Sequence, residues 1–203
     1  MIKAICFDLD GVFFTEDSFP RFKQTVAELT EYPQLVDDVF HGSVMNNFKM
    51  NNINEGEYWD YARDTLEITL TNEEISKILR KSYSVDQDIL DYVCKVKDTG
   101  YKTCLCSNNF VTRINELEKE FAFLKYFDIQ IFSFDVGVLK PHVNIFKALV
   151  EQSKVDVSEI VYSDDRESKL DGAKELGIHT FIFKNIEQFK HTLESFGVIM
   201  ETN

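Results

Sequence analysis

The sequence predicts an α/β protein: a parallel sheet covered by helices, with a helical segment inserted after the first strand. Three observations carry this prediction. Short runs that are apolar on both alternating faces recur along the chain, as strands buried on two sides require. Segments with apolar residues at helical spacing lie between those runs. One long segment, from Thr15 to Tyr83, breaks the alternation and holds no convincing strand. At 203 residues the chain has the size of one ordinary domain with a modest insertion.

The first strand is predicted over Ile2 to Phe7. The inserted segment reads as several helices, with Phe22, Val26, Leu29, Tyr58, Trp59, Ala62, Leu66, Ile75, Ile78 and Leu79 available for burial. Within it, Thr71 precedes Glu74 by three, the spacing of a capping box at a helix start. A helix over Gln87 to Thr99 carries Ile89, Leu90, Val93 and Val96 on one face, and Gly100 stands where it should stop. The next strand runs from Tyr101 to Cys106, and a weaker one from Asp128 to Phe132. A helix over Asn144 to Ser153 leads to a strand at Ile160 to Tyr162. A last helix, Lys169 to Leu176, ends at Gly177 before a strand at His179 to Phe183. Strands and helices in this order wind a parallel sheet through right-handed crossovers. Residues 1–14 and 84–203 would form the sheet domain, and 15–83 a helical cap.

Composition removes several classes of function. Gly (8) and Pro (3) are scarce, which excludes a collagen-like or linker-dominated chain. Asp and Glu number 35 against 22 Lys and Arg, a formal charge of −13. Such a field repels nucleic acid and anionic membrane, and no basic cluster offsets it. No stretch reaches the length of a membrane span. Asp8 and Asp10 interrupt the apolar N-terminus, so it does not read as a secretory signal. The expectation is a mature chain starting at Met1 in the cytosol. Cys6, Cys94, Cys104 and Cys106 form no C-x-x-C pair and are expected to be small buried hydrophobes rather than disulfides. The oligomeric state is not encoded in any of these features.

Ligands of an open parallel sheet bind beyond the carboxyl ends of its strands. There the sequence places Asp8 and Asp10, then Ser107 and Asn108, then Lys140 and Pro141 at a helix start, then Asp164 and Asp165. The fold needs none of these groups for stability, and crowded carboxylates are costly unless a cation joins them. Oxygen donors without His or Cys suit a hard cation such as Mg²⁺. A carboxylate beside such an ion can attack phosphorus, and a second one two residues along can serve as acid and base. A lysine, a hydroxyl and backbone N–H groups can hold phosphoryl oxygens.

Asp8-Leu9-Asp10-Gly11-Val12, Ser107-Asn108, Lys140-Pro141 and Asp164-Asp165 occur in this order, each at a predicted strand end. The set resembles the four motifs of the haloacid dehalogenase-like (HAD) superfamily. Val161 to Glu167, continuing to Gly172-Ala173, is similar to the subgroup with a double Asp in the fourth motif. That subgroup includes α-glucose-1-phosphate phosphatases and the N-terminal phosphatase domain of soluble epoxide hydrolase. The resemblance implies a Rossmann-like core with a small helical cap, and a Mg²⁺-dependent phosphatase acting on a small phosphorylated metabolite such as a sugar phosphate. By the same resemblance Asp8 is the nucleophile and a metal ligand. Asp10 is the acid and base, with its carbonyl on the metal. Ser107 and Asn108 bind the phosphoryl group, and Lys140 neutralises it. Asp165 is a direct metal ligand and Asp164 a supporting one. Asp10 favours a phosphatase over a dehalogenase. A phosphomutase, or a non-catalytic binding protein of the same fold, remains an alternative. Ser168-Lys169 departs from the family pattern, where Asn or Asp is common, and puts the tuning of the metal site in question.

Other residues carry weaker signals. His41, His142, His179 and His191 lack partners at metal-ligand spacing, and His41 stands out only because it lies in the cap. In the run from Met45 to Asn52, the amides and Lys49 either face the leaving group or form a polar helix end. Phe13 and Phe14 are expected to lead into the cap hinge, with the option of flooring the pocket.

Overall fold

The computed structural model describes residues 1–200. Its strands are β1 (Ala4–Phe7), β2 (Lys102–Ser107), β3 (Ile129–Phe132), β4 (Ile160–Asp164) and β5 (His179–Ile182). They form one wholly parallel sheet in the order β3-β2-β1-β4-β5. The α/β class and the strand positions follow the sequence expectation. Two strands run further than their apolar runs. β2 takes in Ser107 and β4 takes in Ser163 and Asp164, because β3 and β5 pair with those residues (Ser107 opposite Phe132, Asp164 opposite Ile182).

Side-chain alternation divides the core into two layers. Ile5 and Phe7 face a large cluster with Leu105, Val93 and Phe189. Ala4 and Cys6 face the other way, with Cys104, Cys106, Ile145, Phe146 and Tyr162. The residues that β1 and β2 present to this second layer are small, so helix α9 (Val143–Ser153) packs close to the sheet. All four cysteines are free, and Cys6, Cys104 and Cys106 are buried. No helix among the described residues is long and apolar enough to cross a membrane.

Between β1 and β2 lie α1 (Ser18–Ala27), α2 (Val36–His41), α3 (Ser43–Lys49), α4 (Glu55–Leu66), α5 (Asn72–Ser82) and α6 (Gln87–Asp98). The Thr71–Glu74 capping box opens α5, and an equivalent Asn54–Glu57 box opens α4. Phe22, Phe40, Phe48, Tyr58 and Trp59 form an aromatic interior for these helices. Phe13 and Phe14 are fully buried against Phe123, Phe127 and Tyr83, so they support the base of the insertion and do not floor a pocket.

After β2 comes α7 (Val111–Phe121), a helix the sequence analysis does not assign although Phe110, Ile114, Leu117 and Phe121 recur at helical spacing. Its N-terminal residue Phe110 makes no side-chain cap, and its buried positions include Thr112, Arg113 and Glu116. The reason is its neighbour: α7 packs on α5, and polar groups cross that seam. Arg80 pairs with Glu116, and Trp59 Nε1 donates to Thr112 Oγ1 at 3.5 Å. The chain continues through α8 (Ser133–Val136) and α9, then α10 (Asp171–Leu176) and α11 (Ile186–Ser195). A 3-10 turn at Glu167–Lys169 replaces the predicted first turn of α10.

In α10, Gly172 is the point where that helix meets the Lys140–Pro141 loop. A Cβ at residue 172 would lie 2.0 Å from the Pro141 carbonyl oxygen, so main chain would have to move. Gly172→Ala should cost about 1–3 kcal/mol, the usual range for an overpacked site, in a urea denaturation series. An unchanged midpoint would contradict this packing.

Candidate active site

The residues predicted at the strand ends converge. Asp8, Asp10, Ser107, Asn108, Lys140, Asp164 and Asp165 all line one cavity of about 830 Å³, beyond the carboxyl edge of the sheet. β1 leads into Asp8 and Asp10, β2 ends on Ser107, and β4 ends on Asp164.

Lys140 lies at the centre and is 3% exposed. Its Nζ is 2.8 Å from Asp8 Oδ1 and 2.8 Å from Asp164 Oδ2. It also lies 3.0 Å from the Cys106 carbonyl oxygen and 2.9 Å from the Tyr162 hydroxyl. The Tyr162 hydroxyl donates onward to Asp164 Oδ2. Burial works against the Lys140 charge, but Asp8 and Asp164 outweigh it and keep the ammonium protonated. Burial would likewise raise Asp164, yet Lys140 and the Tyr162 hydroxyl hold it below the usual carboxylate value. Asp8 is the opposite case. Burial and the Asp164 charge push it up to about 8, with Lys140 pulling the other way. Burial and Asp164 push Asp165 up to about 6. Three carboxylates around one ammonium leave the site short of positive charge.

A divalent cation fits that deficit. Oxygens of Asp8, Asp164 and Asp165 lie within 4.8 Å of one another, and the set contains no nitrogen or sulfur. The oxygens differ in availability. Asp8 Oδ1 already accepts from the Leu9 N–H at 2.7 Å and from Lys140. Asp164 Oδ1 accepts from the Arg166 N–H at 3.0 Å, and its Oδ2 from Lys140 and Tyr162. Asp8 Oδ2 and Asp165 are therefore the freer donors. Gly11 keeps the space beside Asp165 open: it has φ +75°, and a Cβ there would sit 2.9 Å from Asp165 Oδ2.

Asn108 lines the cavity as expected and its side chain also makes a structural contact. Its Oδ1 accepts from the Lys140 N–H at 2.7 Å and its Nδ2 donates to the Lys140 carbonyl at 3.2 Å. The side chain clamps the peptide that carries Lys140, leaving little of it to face a ligand. Lys169, the departure from the family pattern, also lines the cavity, with Nζ 3.4 Å from the same Lys140 carbonyl.

Arg113 escaped the sequence reading, and Asn109, which follows Ser107-Asn108 at the end of β2, was given no role in it. Arg113 is 1% exposed, and its Nη2 donates to Asp10 Oδ2 at 2.6 Å. Its Nε donates to Asn109 Oδ1 at 2.5 Å and its Nη1 to the Tyr83 hydroxyl at 2.8 Å. The guanidinium packs over the rings of Phe19 and Phe110. Burial acts to lower its pKa, but Asp10 and Tyr83 override that effect. Asp10 Oδ1, in contrast, is buried without a hydrogen-bond partner, as befits an oxygen kept for a ligand. One signal could have found Arg113: it follows Asn109 by four, on the face of α7 that also carries Phe110, Ile114 and Leu117.

Two outcomes follow from this geometry. Arg113→Met strands Asp10, Asn109 and the Tyr83 hydroxyl, and should destabilise the fold by on the order of 3 kcal/mol in chemical denaturation. Magnesium at ~100 times its dissociation constant should raise the melting temperature by roughly 5–10 °C. Asp165→Asn should remove most of that rise; a variant that retains it would exclude Asp165 from the ion.

Comparisons with known proteins give the family. The chain is 28% identical to mouse bifunctional epoxide hydrolase 2 over 213 aligned residues, covering 95% of this chain and 38% of the mouse protein. It thus spans well under half of that relative. It is 24% identical to a D-ribitol-5-phosphate phosphatase from Bacteroides thetaiotaomicron, with 95% of this chain and 97% of the relative covered. A HAD family enzyme from the same organism, crystallised with magnesium and inorganic phosphate, shares the fold with a TM-score of 0.77 at 24% identity; 95% of this chain and 99% of that one are covered. The family model described as haloacid dehalogenase-like hydrolase matches residues 2–177. On that match, and with its motifs gathered in one cavity, the chain belongs to the haloacid dehalogenase-like hydrolase family.

Proposed function

We propose that this chain is a magnesium-dependent phosphatase that hydrolyses a small phosphorylated metabolite, such as a sugar phosphate, through an aspartyl-phosphate on Asp8. The observation that carries the proposal is the pairing of Asp8 with the buried Lys140 ammonium at 2.8 Å, beside an acidic pair able to hold a cation. Phosphatases among the relatives support the same reading, and the D-ribitol-5-phosphate phosphatase supports a small polyol or sugar ester.

Asp8, Asp165 and the Asp10 carbonyl would hold the ion, with Asp164 supporting them. A bound magnesium supplies charge neutralisation to the phosphoryl oxygens. The residues of the chain do the rest. An Asp8 carboxylate oxygen attacks phosphorus in line, and the bond from phosphorus to the leaving oxygen breaks. Protonated Asp10 gives its proton to that oxygen. The Asp10 carboxylate then takes a proton from water, whose oxygen attacks the same phosphorus, and Asp8 leaves as a carboxylate with inorganic phosphate. Ser107 and the N–H groups entering α7 orient the phosphoryl oxygens, and Lys140 balances their charge. Arg113 keeps Asp10 turned towards the cavity. The helices of residues 15–83 act as a cap that excludes bulk water. We place the protein in the cytosol, a reading its four free thiols support.

Phosphate release from p-nitrophenyl phosphate and a panel of sugar and polyol phosphates tests this function. Turnover should require Mg²⁺, stop in EDTA and disappear in Asp8→Asn. Asp10→Asn should lower kcat by about 10²–10⁴-fold, the usual share of acid–base catalysis. Failure of every ester with folded, magnesium-loaded protein would overturn the phosphatase. An isomerised phosphate ester without free phosphate would make it a mutase.

A further inference from the structure

The inner charges of the site pair mostly among themselves, with Asp165 Oδ2 also 3.8 Å from Arg166 Nε. Asp8, Asp164 and Asp165 face Lys140 and the proposed divalent ion, and Asp10 faces Arg113. Outside that set the cavity wall carries a second group of charges, and it is basic. Lys49 closes α3 and His41 closes α2, while Arg166 and Lys169 come from the turn after β4. His41 Nδ1 lies 3.5 Å from Asp37 Oδ1 and Arg166 Nε 3.8 Å from Asp165 Oδ2, so Lys49 and Lys169 are the wall cations that face no carboxylate within 4 Å among the described residues. Glu16 is the one acidic wall residue beyond the inner set. This local excess sits in a chain whose formal charge is −13.

Lys49 is the most informative member. Lys23, also on the wall, is paired with Asp37 at 2.5 Å. Lys49 Nζ, among the described residues, has neither a carboxylate nor a hydrogen-bond partner, although the residue is half-buried. Its backbone is tied to the sheet domain, because the Ser133 Oγ donates to the Lys49 carbonyl at 2.7 Å. The backbone that carries the amine is therefore held against the sheet domain. Lys49 lines the same cavity as Asp10, and the charges acting on it include Arg113, Asp10, Lys169 and Arg166. Burial, together with Arg113, Lys169 and Arg166, pushes it down to about 7. Cations crowded in this way are costly until an anion joins them.

We propose that the leaving group of the substrate carries a second anionic group, a carboxylate or another phosphate, seated on Lys49 with His41, Arg166 and Lys169 around it. The inference rests on the phosphatase reading and narrows its substrate class. The transferred phosphoryl group occupies the inner set; the second anion neutralises the outer one. A cavity of about 830 Å³ has room for both on a short carbon chain.

The test compares esters with and without the second charge on magnesium-loaded protein: 2-phosphoglycolate and fructose 1,6-bisphosphate against glycerol 3-phosphate and ribitol 5-phosphate. The better anionic ester should exceed both neutral ones in kcat/KM by about ten-fold or more, the worth of one charge-assisted pair, and the margin should shrink with salt. The carboxylate and bisphosphate arms tell which anion fits. Lys49→Met should lower kcat/KM for anionic esters at least several-fold more than for neutral ones, and Lys49→Arg should restore most of the difference. Equal rates for the two classes, or an equal loss for both in Lys49→Met, would overturn the second-anion site while leaving the phosphatase intact. If no ester turns over, the phosphatase reading fails, and calorimetry on the magnesium-loaded wild-type protein, which then leaves the esters intact, decides the inference separately. Binding of 2-phosphoglycolate about ten-fold tighter than glycerol 3-phosphate would support it, and equal affinity would end it.

Discussion

The buried ammonium of Lys140 is the interaction on which the site depends. It joins groups from three neighbouring strands: Asp8 after β1, the Cys106 carbonyl of β2, and Tyr162 and Asp164 of β4. Only a sheet with β1 between β2 and β4 brings those ends together. A buried cation without partners would not be tolerated, and neither would the carboxylates without it. The charge therefore sets both a structural requirement and a chemical one. It keeps Asp164 ionised, while Asp8 stays poised by burial and by its acidic neighbour.

A second polar system organises the boundary between the inserted helices and the sheet domain. α7 meets α5 through Arg80 and Glu116, and meets α4 through Trp59 and Thr112. Ser133 reaches across to the end of α3. Arg113 belongs to the same boundary, since one guanidinium touches Tyr83 beside α5 and Asp10 beside β1. The seating of the inserted helices and the orientation of Asp10 thus share one side chain. A packed apolar seam would hold the two parts together equally well, but it would not carry that link.

The proposed catalytic set was legible because an α/β sheet does not need such groups at its strand ends. Asp8, Asp10, Ser107, Lys140, Asp164 and Asp165 interrupt or end apolar runs, and a strand end is where such residues become conspicuous. The strands were legible for a related reason, since burial on two faces leaves an unbroken apolar run. The residues missed obey the reverse logic. Arg113 is a lone cation in a helical pattern, and such a residue normally faces water. Its burial follows from tertiary partners far apart in the chain. α7 itself was legible in the spacing of Phe110, Ile114, Leu117 and Phe121, but its start has no side-chain cap to mark it and Thr112, Arg113 and Glu116 are buried beside that face. The clamp of Asn108 on the residue 140 peptide was not legible, because spacing reports where a residue stands and not which neighbour claims its hydrogen bonds.

That clamp has a consequence for how the site tolerates change. Asn108 reads the N–H and C=O of residue 140, not its side chain. A contact between two side chains can be rebuilt by altering both partners. Here one partner is main chain and has no alternatives to offer. Losing the amide at residue 108 therefore has no remedy at residue 140, and the two loops that bear Ser107 and Lys140 are coupled by an element that sequence divergence cannot rewrite from the other side.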